Sequence, residues 1–243
     1  ISSVDAEVFM SEMSLGYGSE YHLLRFLGHH RQYLNNTILD ALDKKNEIIE
    51  WLDYPMNTNR ASLDGELKGI ECFKENYNFD FIQSEWEKFW PVEGNCQNWD
   101  GIFKIGNEWY FVEAKAQKSE VYTSCESKSE ENLKIIKQAF IETIERFSSS
   151  VSADFWISKE CKAYQLANRL AFLVFCEKIG IKVHLLYINF IHGFEKKDLQ
   201  RDSSINSKEE WIKIWTEEYK MLGLKAENLK DVLCHVFIDC KKQ

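Results

Sequence analysis

The stretch at residues 95–115 constrains the fold of this chain more than any other, because it reads as two β-strands joined by a tight turn. Ile102, Phe103 and Ile105 sit in the first arm, Gly106-Asn107 make the turn, and Trp109, Tyr110, Phe111 and Val112 form the second arm. Glycine and asparagine accept the positive φ of a tight hairpin turn, and aromatic and β-branched residues suit strands. Asp100 opens the first arm while Glu113 and Lys115 close the second, so the hairpin carries all three to one end. Side chains alternate along a strand, which puts Glu113 and Lys115 on one face and turns Ala114 away. Two carboxylates and an ammonium at one end of a sheet form the arrangement that a metal-dependent phosphodiesterase needs.

The Glu-x-Lys spacing alone carries little weight. Glu66–Lys68, Glu126–Lys128, Glu160–Lys162, Glu195–Lys197 and Glu218–Lys220 match it as well. Context separates Glu113–Lys115: an aromatic, β-branched strand runs into it, and an Asp stands at the far arm of the same hairpin.

The elements around the hairpin specify its surroundings. Residues 163–176 are nearly all apolar and read as a helix that ends at Gly180, a natural C-cap, before a buried strand at 181–190. A hairpin followed by helix, glycine and apolar strand implies a right-handed crossover, hence an α/β fold with a central mixed β-sheet flanked by helices. Residues 132–147 read as a further helix, broken by the serines at 148–152, and residues 117–131 as a polar loop beside the charged end. Upstream, Leu23, Leu24, Leu27, Leu34, Ile38 and Leu42 mark one half-buried helix that starts near Glu20 with Ser19 as its cap. Residues 47–54 read as a strand. A second amphipathic segment follows from Asp64, with Leu67, Ile70, Phe73 and Tyr77 on one side and Glu66 among them. Residues 78–91 suggest a short helix packed on the sheet, 211–222 a late helix and 232–238 a last strand. No repeat or domain boundary is visible, so residues 1–243 read as a single domain.

Composition narrows the functional classes. Hydrophobic content of 44%, with eight tryptophans, supports a substantial core and argues against disorder. No run of about 18 apolar residues occurs, so no membrane span is expected. No basic region followed by an apolar core opens the chain, so no secretion signal is expected either. Seven cysteines, an odd number without a CxxC pair, favour reduced thiols in a cytoplasmic protein over disulfides or a structural zinc. The net charge of −9 counts against a broad nucleic-acid-binding surface, which works by neutralising phosphates. It leaves room for a carboxylate-rich site loaded with divalent cations and edged by a few basic groups.

With an acid on an early helix, then Asp100, then Glu113-Ala114-Lys115, the chain resembles the PD-(D/E)xK nuclease superfamily, which has a restriction-endonuclease-like fold. The resemblance covers a core at about residues 18–190 and leaves 191–243 as a C-terminal extension. Only the hairpin motif is specific, and Trp99 stands where a proline often precedes the Asp. The whole chain is also similar to uncharacterised bacterial proteins, a likeness that supplies no substrate. The superfamily resemblance implies hydrolysis of nucleic-acid phosphodiesters, DNA first among them. Asp100, Glu113 and the carbonyl of Ala114 would hold Mg²⁺ or Mn²⁺, joined by Glu20 or Glu66, and Lys115 would orient or deprotonate the attacking water.

Glu66 has the more compact spacing to Asp100, whereas the glycine-rich approach and the strand after its helix favour Glu20. Gln165 and Arg169, four apart on a helix, are candidates for phosphate contact, with a solvated stripe as the alternative. Gln117 is a weaker candidate if its strand continues. Two other readings remain: a nuclease-like fold that binds without cleaving, and an interaction protein whose triad is an edge-strand salt bridge. Oligomeric state is left open.

Overall fold

The computed structural model describes residues 18–54, 67–92, 97–193 and 205–241. Along the first half of the chain run α1 (Ser19–His29), α2 (Arg31–Ala41), β1 (Glu50–Trp51), β2 (Leu67–Lys68), α3 (Phe79–Phe89) and β3 (Asn98–Trp99). The hairpin follows as β4 (Gly101–Ile105) and β5 (Glu108–Lys115). Then come α4 (Glu130–Phe147), α5 (Ala153–Trp156), α6 (Tyr164–Lys178), β6 (Val183–Ile191), α7 (Lys208–Met221) and β7 (Leu233–Asp239).

Five strands form one mixed sheet in the order β1-β4-β5-β6-β7. The β1–β4 and β4–β5 pairs are antiparallel, and β5–β6 and β6–β7 are parallel. Parallel neighbours need a long connection; α4, α5 and α6 provide the first and α7 the second. The fold is therefore α/β with a central mixed sheet between helices. The stretch beyond residue 190, read from the sequence as an extension, supplies α7 and an edge strand of this same sheet. No helix among the described residues is long and apolar enough to cross a membrane.

Each sheet face has its own core. Tyr110, Val112 and Ala114 of β5 join Leu186, Ile188 and Phe190 of β6 under α1 and α2. On the other face Trp109 and Phe111 meet Phe73, Trp99 and Phe172 in a cluster completed by α3, α4, α6 and α7. Alternation along β5 then sends Glu113 and Lys115 toward α6 and α7, as two-residue periodicity requires.

Several local expectations change. The early stripe belongs to two helices, because the backbone leaves the helical region at His30 (φ −129°, ψ 29°); Leu34 and Ile38 still pack in the same core from α2. Ser19 is the first helical residue, and the capping position falls to Gly18, with no side-chain cap. The described part of the segment from Asp64 does not continue as a helix. Leu67 pairs with Trp99 across the small β2–β3 ladder, Gly69 takes a positive φ of 43°, and only a 3-10 turn follows at Glu71–Phe73. Helix propensity yields there to strand pairing with Trp99. The strand at 47–54 shrinks to β1, prolonged by one bond from the Leu52 N–H to the Ile102 carbonyl.

Candidate functional site

The charged end of the hairpin is built by backbone pairing before any side chain acts. Asp100 lies in the bend between β3 and β4, and its N–H donates to the Val112 carbonyl at 3.1 Å. Two residues further along β5, the Ala114 N–H donates to Asp100 Oδ2 at 2.7 Å. The carboxylate thus takes the place of the next ladder partner, because β4 ends there. The Ala114 carbonyl faces the same side of the strand as its N–H, toward Asp100. The Tyr54 hydroxyl donates to the Asp100 carbonyl, fixing the bend from the opposite side. Burial and the charge of Glu113 push the Asp100 carboxyl up to about 7, against the pull of Lys115 and the Ala114 N–H.

Glu113 and Lys115 share the buried face, only 2% and 5% exposed. Lys115 Nζ lies 3.3 Å from Glu113 Oε2, and Arg169 Nε of α6 lies 2.5 Å from Glu113 Oε1. Arg169 also donates from Nη2 to the Asn98 carbonyl at 2.8 Å, and its guanidinium carbon stands 4.6 Å above the Trp99 ring. Trp99 therefore has a definite task. It is fully buried against Phe111 and Phe172 and forms the platform under Arg169. Buried charges are tolerated only when paired and hydrogen-bonded, and every charge of this trio is.

The other candidates fall into place unevenly. Glu20, in the first turn of α1, is close enough to Asp100 and Tyr54 to raise the pKa of both. Yet among the described residues no group of three His, Cys, Asp or Glu side chains could hold a metal ion, so Glu20 does not complete a three-carboxylate cluster. Glu66 lies outside the described residues. Gln117 turns away: β5 stops at Lys115, a 3-10 turn begins, and the Gln117 amide sits 3.5 Å from Glu120 Oε1. Glu120 also accepts from the Ala116 N–H at 2.7 Å, which pins this turn. Arg169 is committed to Glu113 and Asn98, in place of the free phosphate contact expected from its spacing to Gln165. Both residues nevertheless line one cleft.

One residue was not among the site candidates read from the sequence. Glu218 of α7 is fully buried, and neither carboxylate oxygen has a hydrogen-bond partner. Burial, helped by Glu217, pushes its carboxyl up to about 8, while Lys115 pulls the other way. Its triplet with Lys220 looked like one more surface match. The signal was in the helical period: Trp211, Ile214, Trp215 and Glu218 all lie on the buried face of α7.

The six described cysteines are all free thiols. No protein-family model, curated protein or solved structure matches this chain.

Proposed function

We propose that this chain is a Mg²⁺- or Mn²⁺-dependent nuclease of the PD-(D/E)xK type, hydrolysing phosphodiesters of nucleic acid and of DNA first. The observation that carries the reading is the bond from the Ala114 N–H to Asp100 Oδ2, made directly beside the Glu113–Lys115 pair. It ties the acid of one arm to the peptide between the acid and lysine of the other.

The donor set fits a hard cation: the Asp100 and Glu113 carboxylates and the Ala114 carbonyl are all oxygen ligands, which such ions prefer. A divalent ion there supplies Lewis acidity and lowers the pKa of a bound water. Lys115, oriented by Glu113, holds a phosphate oxygen or positions the attacking water. Arg169 fixes the carboxylate of Glu113 and offsets part of the negative charge that Asp100 and Glu113 bring together. The free thiols support a reducing, cytoplasmic compartment.

A second reading also has an observation behind it. Both Glu113 oxygens already carry a cationic partner, which favours a nuclease-like scaffold that binds without cleaving. Calorimetric titration with Mg²⁺ and Mn²⁺, comparing the native protein with Asp100→Ala, tests the metal site, and cleavage separates the two readings. Binding that disappears in the variant supports the metal site; no binding, or binding unchanged by the substitution, overturns it. Incubation of plasmid and single-stranded DNA with Mn²⁺ then tests turnover, with cleavage expected from the native chain and lost in Lys115→Ala.

A further inference from the structure

Beside Arg169 lies a cleft of about 850 Å³, walled by the start of α6, the first turn of α4 and the loop at 122–129. That volume is within the range of roughly 300–1,000 Å³ typical of small-ligand sites. Its chemistry is unlike that of a phosphate-binding groove on a duplex. Four carboxamides, Asn98, Asn132, Gln165 and Asn168, line it, as do Tyr122 and Tyr164. Both residues are half-buried: the Tyr122 hydroxyl donates to Glu217 Oε2 at 2.7 Å and Lys118 Nζ lies 5.1 Å from its ring centroid, while Tyr164 packs edge-on against Phe140. Lys128 brings positive charge to the lining and Glu126 negative charge, while Arg169 is already paired with Glu113. Loop and helix are locked together by the Gln165 N–H, which donates to Thr123 Oγ1 at 2.7 Å, and by backbone bonds between Thr123 and residues 162 and 164.

Carboxamides pair with base edges, tyrosine rings stack on bases whatever their sequence, and one lysine suits one phosphate. The cleft also abuts the candidate site directly, because Arg169 is at once part of its wall and the partner of Glu113. The overall charge of −9 points the same way: a chain this acidic is poorly suited to a long duplex footprint, whereas a confined pocket needs few phosphate contacts.

We propose that this cleft receives an unstacked nucleotide of a single-stranded nucleic acid, DNA or RNA, next to the hairpin carboxylates. The choice of ligand rests on the phosphodiesterase reading and deepens it, from nucleic acid in general to an unpaired strand. Tyr122 and Tyr164 flank the base, the carboxamides meet its edge, and Lys128 faces the flanking phosphate.

Binding without metal isolates the proposal from turnover. Fluorescein-labelled 12-mers of single-stranded DNA, single-stranded RNA and the matching DNA duplex are titrated with the full chain in EDTA, followed by anisotropy. At least one single strand is expected to bind about tenfold tighter than the duplex. Tyr122→Leu should weaken that binding about fivefold or more, the effect of losing one stacked base, while Tyr122→Phe keeps it. Gln165→Ala and Lys128→Ala, on half-buried and exposed side chains, should each weaken it severalfold with unchanged circular dichroism. Equal affinity for duplex, no measurable binding of either single strand, or native affinity in all the weakening variants overturns the proposal. Single-strand binding that depends on Gln165 in a protein that cleaves nothing would leave the cleft standing and remove the nuclease. Cleavage by a protein whose binding ignores these residues would do the reverse.

Discussion

Replacing Glu218 with glutamine isolates a titration that the fold itself imposes. The side chain keeps its shape and loses only its ability to ionise. In the native protein, burial moves the carboxyl from its ordinary 4.5 to about 8. The unfolded chain therefore releases this proton near pH 4.5 while the folded chain holds it to about pH 8, so the folded state carries more protons between those values. Stability contributed at low pH is then lost as pH rises through that window. At 1.36 kcal/mol per pKa unit, the loss is about 1 kcal/mol at pH 5 and about 3 kcal/mol at pH 7.

The glutamine variant has no such loss. Its advantage over the native protein should grow by about 2 kcal/mol between pH 5 and pH 7, a widening of roughly 4–8 °C in melting temperature for a chain of this size. Asp100, raised in the same direction, and His235, held down to about 3 by burial, also shape the pH profile of each protein. Both are present in the two proteins and cancel in the difference. The groups facing Glu218 are Lys115 from β5, Tyr187 from β6, Tyr122 and Cys161 from the stretch between β5 and α6, and Glu217 and Tyr219 on its own helix. Lys115 alone among them carries positive charge. Thermal melts at the two pH values decide the matter. A difference independent of pH refutes the buried neutral carboxyl. A variant that loses ground as pH rises would show Glu218 ionised and paired with Lys115 instead.

Arg169→Ala should cost about 3–5 kcal/mol in urea denaturation, because it leaves Glu113 buried with Lys115 as its remaining partner; a cost under about 1 kcal/mol would deny the pair its structural part. Added Mn²⁺ should restore part of that loss if the freed carboxylate binds the ion, and do nothing if the cluster is purely structural. Gly223→Ala should lower stability by about 1–3 kcal/mol, since Gly223 has φ +63° and a new Cβ would lie 2.6 Å from Val151 Cγ2; an unchanged melting midpoint would contradict the close approach of α7 to the 148–151 turn.

The central hairpin was legible because three independent signals agreed over residues 98–115: turn chemistry, strand composition and side-chain alternation. The same held for α6, Gly180 and β6, where an apolar helix, a glycine at φ +77° and an apolar strand follow in order. Residues 67–73 failed for a reason no local pattern contains. Leu67 pairs with Trp99, 32 positions away, and a long-range strand pairing outweighs a weak helical period. The break at His30 was hidden differently: α2 restarts in phase, so the apolar stripe survives while the helix does not.

The candidate site shows the same division between what one strand dictates and what packing adds. Asp100, Glu113 and Lys115 are brought to one end by the hairpin, and the shared face of Glu113 and Lys115 follows from alternation. Arg169 was visible as a polar residue on an apolar helix, but its partner was not, because the bond to Glu113 spans 56 positions and depends on how α6 crosses β5. Glu218 depends on packing still further away, through the connection from β6 to β7 and back over the sheet. These two helix residues are what turn an exposed hairpin end into an enclosed one. Arg169 neutralises Glu113 from one side, and burial favours the uncharged form of Glu218 on the other. If Glu218 were ionised there, it would compete with Glu113 for the single ammonium of Lys115, since Arg169 is held by Glu113, Asn98 and Trp99. A protonated Glu218 therefore leaves Lys115 directed at Glu113 and the hairpin end, the place where the proposed metal-bound phosphate or unpaired strand would meet it.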